Sequence, residues 1–386
     1  MRTLVLSAED VAATVRHVGL DALMDEVIAE LHDACDDQHG IDNYDVPKRE
    51  GFSYDNPAVG LLEWMPLLKR DAEAFIKLVG YHPNNPWKRG LPTVLSSLLK
   101  FDITNGHLNV IADGTLATAI RTGAASAVAS RILARPDSSK LGLIGAGAQA
   151  VTQLHALSRL FPIREVYVFD IDPRVAASFE GRTETLNLSG VSFHVCSANE
   201  VARAADILCT ATSVAVGGGP VFEDGALSPS VHINAVGSDF PGKTELPRSL
   251  LDRALVCPDY LPQATWEGEC QALPPEQLGP DLMQLVRGCS QYAANRSRTT
   301  VFDSTGFALE DYVVLGVLER IAQQIGLGVE IEMESRGDPH DPYAGLAGAP
   351  EATGRVGMGL VEAMDSGFAR NGQAREVRAG SKGTKT

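Results

Sequence analysis

Apolar positions recur at helical spacing from the start of the chain, at Val11, Val15, Leu20, Leu23, Met24, Val27 and Leu31, with a break near Gly19. Ser7 and Asp10 form a capping-box pattern ahead of them, so the chain is expected to begin with helices. From 60 to 81 the pattern turns β-like. Leu61-Leu62-Glu63-Trp64-Met65 runs up to Pro66 and Ala74-Phe75-Ile76-Lys77-Leu78-Val79 up to Gly80, which predicts two strands ended by those two residues. Alanine-rich 114–134, stopped by Pro136-Asp137, reads as one long helix. Beyond it, strands expected at 140–144, 165–170, 193–196, 207–210, 232–236, 255–257 and 300–302 alternate with helices at 148–160, 173–185 and 199–205. Such alternation predicts an α/β fold with a doubly wound parallel sheet covered on both faces. A last amphipathic helix, 308–325, is expected to pack back on the first domain, and beyond about Asp338 the composition thins to Gly, Ala, Pro and Arg.

Length and charge narrow the reading. At about 150 residues per domain, 386 residues predict two domains and a tail, and 44% hydrophobic with 21% charged residues is ordinary globular usage. The formal charge of −16 repels phosphate backbones and anionic lipid, so neither nucleic acid nor membrane is an expected partner. Glu9 and Asp10 fall where a signal peptide would be apolar, and no run of 18 apolar residues occurs; a soluble, cytoplasmic protein is expected. Six scattered cysteines without C-x-x-C read as small buried hydrophobes in a reducing compartment. Nine histidines without ligand spacing predict no metal site.

Gly145-Ala146-Gly147-Ala148-Gln149-Ala150 follows an expected strand and opens an expected helix, the context of a dinucleotide turn. Gly145 permits the turn, Gly147 lets backbone approach a pyrophosphate, and Ala150 lets helix and sheet pack closely; the free N–H groups of the helix start favour the phosphates. Asp170 ends the next strand, where a carboxylate accepts the adenosine ribose hydroxyls. Asp170 with Asp172 favours NAD over NADP, against which Arg174 stands as a nearby cation.

Charges also occur where apolar residues are expected. Lys77 inside Phe75–Val79 is either an edge-strand gatekeeper or a cation at a cavity wall, where Arg49 and Arg121 would serve the same carboxylate with forked donors. Asp239 follows the expected strand at 232–236, in a loop where open α/β sheets bind ligands; a turn or capping aspartate is the plainer alternative. Glu63 and Glu267 stand beside large apolar residues, which raise a carboxyl toward the range useful for proton transfer.

Taken together, Lys77, Leu91-Pro92-Thr93, Ile120-Arg121-Thr122-Gly123-Ala124, Gly145 to Gln149, Gly237-Ser238-Asp239 and Gly242-Lys243-Thr244-Glu245-Leu246 resemble the ornithine cyclodeaminase and μ-crystallin family over about 3–345. LIGAGAQAVTQLHALS at 143–158, TATSVAVGGGP at 210–220, Glu267 to Gln271, VFDSTGFA at 301–308 and Asp341-Pro342-Tyr343 resemble its lysine cyclodeaminase subgroup. The resemblance implies a homodimer with a substrate-binding and dimerisation domain of α+β type (1–125 with 315–345), a Rossmann NAD-binding domain (126–314) and a disordered tail (346–386). It implies Arg49, Lys77 and Arg121 as carboxylate binders, Asp239 as the essential acid, Glu63 as a substrate-facing and catalytic acid, and Glu267 as a further substrate contact. Thr93 and Thr122, with Ser304 and Thr305 close by, would border the nicotinamide; Arg121, Gly145, Ala146, Gly147, Ala148, Gln149, Asp170, Thr212, Ser213 and Val236 complete the NAD site. The chemistry implied is redox-neutral: hydride leaves the α-carbon of a diamino acid, the terminal amine closes a ring, ammonia departs and the hydride returns. L-Lysine giving L-pipecolate is the implied reaction. Ornithine cyclodeamination, NAD(P)H-dependent imine reduction or amino-acid oxidation, and crystallin-like nucleotide binding remain the alternatives.

Overall fold

A computed structural model describes residues 1–36, 43–334 and 337–344. The expected tail, 346–386, lies outside the described residues. The strands of the first half are β1 (Thr3–Leu6), β2 (Tyr44–Asp45), β3 (Glu50–Tyr54), β4 (Gly60–Lys69), β5 (Glu73–Tyr81), β6 (Val94–Asp102) and β7 (Leu108–Asp113). Then follow β8 (Lys140–Ile144), β9 (Glu165–Phe169), β10 (Ser192–Val195), β11 (Ile207–Thr210), β12 (His232–Ala235), β13 (Leu255–Pro258), β14 (Thr300–Asp303) and β15 (Val329–Ile331). One mixed sheet runs β15-β1-β7-β6-β5-β4-β2, with β3 also on β4; the other runs β10-β9-β8-β11-β12-β14-β13 and is parallel throughout.

The capping box of Ser7 and Asp10 forms and starts the Ala8–Val18 helix, while Gly19, at φ +86°, separates it from the Leu20–Asp36 helix. Strand β1 precedes them, so the chain begins with a strand and not with a helix. Neither Pro66 nor Gly80 ends its strand. Pro66 lies between the β4 residues paired with β3 and those paired with β2, where no neighbour asks for its missing donor, and Gly80 keeps its place opposite Leu62 and Leu95. The helix expected at 173–185 divides into Pro173–Ala177, Phe179–Arg182 and a 3-10 turn at Glu184–Leu186. Cysteine burial is not uniform either: Cys289 is exposed and Cys196 half-buried, and all six are thiols.

Side chains alternate across the mixed sheet. Met65, Leu67, Phe75, Lys77 and Leu98 point inward and are buried, whereas Phe52, Leu62, Leu78 and Leu95 on the other face are 62%, 43%, 42% and 39% exposed. The Ala308–Ile325 helix packs on β4 and β5, and the Thr115–Leu133 helix touches β6 as well as β12 and β14. Nearly all of the latter is buried, which explains its alanine content. At Gly123 a Cβ would meet the Thr152 carbonyl oxygen at 2.5 Å, so a side chain there would push the Ala148–Leu160 helix away. In the parallel sheet β8, β11, β12 and β14 are almost wholly buried, as strands covered by helices on both faces should be. The strand order turns back between β8 and β11, placing a crevice at their carboxyl ends. Among the described residues no helix is long and apolar enough to cross a membrane.

Candidate active site

A cavity of about 750 Å³ opens between the inner face of the mixed sheet and the loops that leave the parallel one. The period of two along β4 and β5 presents Leu61, Glu63, Met65, Lys77, Val79 and Tyr81 to it. The Thr115–Leu133 helix contributes Thr118 and Arg121; the loops after β11, β12 and β14 contribute Ser213 to Val216, then Asp239, Phe240 and Lys243, and Thr305.

Lys77 is 1% exposed in β5, a strand with β4 on one side and β6 on the other. It is therefore a cation at a cavity wall, and the edge-strand alternative falls. Its Nζ donates to Asp311 Oδ1 at 2.9 Å; burial pulls the ammonium down to about 8, against the pull of Asp311. Arg121 Nη1 donates to Glu310 Oε2, and its Nε lies 3.4 Å from Asp311 Oδ1. Glu310 and Asp311, both fully buried in the first turn of the Ala308–Ile325 helix, give both cations their charge partners. Burial raises the Glu310 carboxyl to about 8, against the neighbouring Arg121. The Arg121 guanidinium lies on the backbone of Gly306, at φ +81°, where any Cβ would strike it.

Arg49 ties two loops together. Its Nη2 donates to the Asp239 carbonyl at 2.8 Å and its Nη1 to the Thr305 carbonyl at 3.3 Å. Nη2 also lies 2.6 Å from Glu267 Oε1, and Nε 3.8 Å from Glu63 Oε1. Burial raises the Glu267 carboxyl to about 7 although Arg49 opposes it, and raises that of Glu63 in the same way. Glu63 lines the cavity; Glu267 is not among its lining residues and reaches it through Arg49. The Asp239 side chain, 43% exposed, pairs with Lys243 Nζ at 2.8 Å.

The glycine turn has the geometry a pyrophosphate needs. Gly145, at φ +91°, stands where a Cβ would meet the Ala211 carbonyl oxygen at 2.5 Å, whereas no atom lies within 4 Å of a Cβ built on Gly147. Gly147 starts the Ala148–Leu160 helix without any side-chain cap, and it and Ala148 are exposed, so the helix start is open to an anion. Asp170 accepts the Ala146 N–H at 2.8 Å, which sets its carboxylate beside the turn. The Arg174 guanidinium is held by Asp172 at 2.7 Å. These residues fit a dinucleotide.

Of the remaining expected residues, Ser213 lines the cavity. Thr212 donates its N–H and hydroxyl to Glu245 Oε1, both at 2.7 Å, and the Val236 N–H goes to the Thr210 carbonyl. Ser304 is buried and its hydroxyl has no partner among the described residues. Thr305 bonds Asp259. Thr122 turns its hydroxyl to the Thr118 carbonyl, Gln149 accepts from Thr152, and Thr93 accepts the His82 N–H through its carbonyl. Thr93, Thr122 and Ser304 are not among the residues lining the cavity.

Sequence reasoning missed Glu310, Asp311 and the braces Glu245 and Glu269, and gave Lys243 no role. Glu245 is fully buried and accepts from Thr210, Thr212 and the Gly237 N–H, joining the loops after β11 and β12; burial raises its carboxyl. Glu269 accepts from Ser238 and from the Glu245 and Leu246 N–H groups. Glu245 stands among Lys243, Thr244 and Arg248, where an acid is unremarkable, so the sequence carried no signal for its burial.

The model of the ornithine cyclodeaminase/mu-crystallin family matches residues 2–324. L-Lysine cyclodeaminase of Streptomyces rapamycinicus is 41% identical over 345 residues, 89% of this chain and 100% of the relative. A solved lysine cyclodeaminase, studied for its recognition of L-lysine, L-ornithine and L-2,4-diaminobutyric acid, superposes with a TM-score of 0.86 at 46% identity, covering 89% of this chain and 99% of its own. An archaeal alanine dehydrogenase dimer with bound NAD superposes with a TM-score of 0.76 at 31% identity, over 86% of this chain and 100% of its own.

Proposed function

The chain belongs to the ornithine cyclodeaminase/mu-crystallin family, and from that premise we propose that it is an NAD-dependent cyclodeaminase converting L-lysine to L-pipecolate with release of ammonia. The observation that carries the reading is one cavity lined by Arg49, Lys77 and Arg121 together with Glu63 and Asp239, joined to the dinucleotide turn through Gly145, whose Cβ position lies 3.1 Å from Thr212 Cγ2, next to the lining residue Ser213.

NAD bound on the Gly145–Gln149 turn, with Asp170 at the ribose, supplies a hydride acceptor and then a hydride donor. Arg49, Lys77 and Arg121 hold the α-carboxylate, the two guanidinium groups through forked donors. Asp239 orients the amines, taking a proton as the terminal amine attacks and giving one to the departing ammonia. Glu63, with its carboxyl raised by burial, is suited to hold a proton beside the substrate. Binding both ends of a diamino acid makes ring closure intramolecular, a large entropic gain. Thr93, Thr122 and Ser304 border the nicotinamide in this reading, Thr212, Ser213 and Val236 flank the cofactor, and Glu267 supports the substrate through Arg49.

Ornithine differs by one methylene, a difference of about 1–3 kcal/mol in a pocket, and the lysine preference rests on the 41% relative. A net redox reaction on an amino or imino acid is the second reading, favoured by the shared fold of the alanine dehydrogenase. The two-domain division set out above, a cytoplasmic location and a homodimer belong to the same proposal. The apolar outer face of the mixed sheet supports the dimer.

The test incubates the protein with catalytic NAD⁺ and L-lysine or L-ornithine, following ammonia, pipecolate, proline and NADH absorbance. Ammonia and pipecolate without accumulating NADH are expected. Ammonia and proline, formed from L-ornithine, change the substrate. Net NADH without a ring product turns the reading to a dehydrogenase.

A further inference from the structure

The cavity has a fourth cation besides the carboxylate clamp. Lys243 lines it, and its ammonium rests on Asp239, the acid to which the proposed reaction gives the amine chemistry. The two sit on one braced turn. The Lys243 N–H donates to the Phe240 carbonyl at 3.0 Å, Gly242 takes a φ of +81°, and Gln271 fixes the turn from outside by accepting the Gly242 N–H and donating to the Lys243 carbonyl. The Lys243 side chain is 9% exposed and its Nζ stands 5.9 Å from the Tyr81 ring centre, so the ammonium is held at the wall and not free in solvent. Arg49, Lys77 and Arg121 have buried acids as partners in Glu267, Asp311 and Glu310. The acid paired with Lys243, by contrast, is open to the cavity.

Resting on the proposed cyclodeaminase reading, we infer that Lys243 is a positioning residue: the resident counter-ion of Asp239, displaced by the terminal ammonium of the diamino acid and returning as ammonia leaves. A carboxylate at this cavity wall is only partly hydrated, and without a cation beside it the lost hydration goes uncompensated, at a cost in free energy. Lys243 removes that cost from the empty site and from the site holding a ring product that lacks a second ammonium. It therefore weakens the hold on a terminal ammonium and on ammonium itself, trading ground-state affinity for release.

The experiment compares the full-length protein with Lys243→Met, which keeps the length of the stem and loses the charge. The readouts are kcat and KM for L-lysine, inhibition by 2-aminohexanoate, which lacks the terminal amine, inhibition by ammonium chloride, and NAD affinity. With the competitor gone, KM for lysine and the inhibitory ammonium concentration both fall, each by roughly fivefold, the upper reach of a half-exposed ion pair. The constant for 2-aminohexanoate and NAD affinity stay unchanged, and kcat falls as release slows. Unchanged KM and ammonium inhibition, or a raised KM, overturns the inference; a raised KM would make Lys243 a further clamp on the carboxylate. Should the Met variant lose NAD, Lys243→Gln carries the same comparison. If the unaltered protein turns over no diamino acid, the cyclodeaminase reading itself fails and the inference with it, an outcome separate from a variant that behaves like the parent.

Discussion

At Lys77, burial in the middle of a sheet pulls the ammonium down to about 8 while Asp311 at 2.9 Å pulls it back up. The depressed value means that the neutral amine appears as pH rises through about 8, and a neutral amine does not hold a carboxylate. KM for the amino acid is therefore expected to stay level below that pH and to rise by roughly tenfold per unit above it. Asp311→Asn removes the opposing charge, so its break should come at lower pH; KM profiles of the two proteins check this, and coincident breaks would separate the clamp from Lys77. Lys77→Ala should weaken amino-acid binding without loosening NAD, and parallel loss of both in titrations would mark the lysine as structural. At Asp239, replacement by Asn keeps the shape and removes the base. Turnover should drop by roughly a hundredfold or more with NAD affinity unchanged, and full turnover in a folded variant would end the acid–base assignment.

One step up, the glycine turn predicts two different outcomes from neighbouring substitutions. Gly145→Ala forces a side chain into positive φ and against the Ala211 carbonyl, so it should destabilise the ligand-free protein by about 1–3 kcal/mol, read as a lower melting temperature. Gly147→Ala adds a Cβ with no protein atom within 4 Å and should leave the ligand-free melting temperature nearly unchanged while NAD affinity falls. Equal effects in both assays would mean that the open space over Gly147 is not where the phosphates lie. This turn was legible in the sequence because strand, glycines and helix are consecutive, and the capping box of Ser7 and the alanine-rich 115–133 helix were legible for the same reason. Strand β1, four residues long before a strong cap, gave too short a pattern to read. Pro66 misled because a strand tolerates a missing donor only where that edge has no partner, and Gly80 misled because a glycine keeps its N–H and weakens a strand without ending it. The clamp was readable only in part: Lys77 and Arg121 stand out as charges in apolar runs, but their partners Asp311 and Glu310 lie 234 and 189 residues away, in a helix turn where acids are ordinary dipole partners. Local patterns cannot carry such long-range pairings.

For the whole molecule, the decisive surface is the outer face of the mixed sheet. Phe52, Leu62, Leu78 and Leu95 are aligned across four neighbouring strands, Phe52 opposite Leu62, and Leu62 and Leu95 both opposite Gly80 of β5. Their exposure is too large and too contiguous for a face turned permanently to water. The opposite face of the same sheet carries Lys77 and Glu63, so a second copy on the outer face would stiffen the strands that present these two cavity-lining groups without entering the cavity. The expected state is a homodimer of twice the chain mass in sedimentation equilibrium. Leu78→Glu, central on that face and paired across the sheet with Trp64 and Ser97, places a charge where two copies would meet and should give the single-chain mass. Because the side chain is half-exposed in the isolated chain, the substitution should spare the fold of the parallel sheet and its NAD binding. Amino-acid turnover should fall, since the clamp strands lose their support. A variant that remains dimeric would move the interface to another face; a monomer with full turnover would show that the cavity is complete within one chain and that pairing serves stability alone.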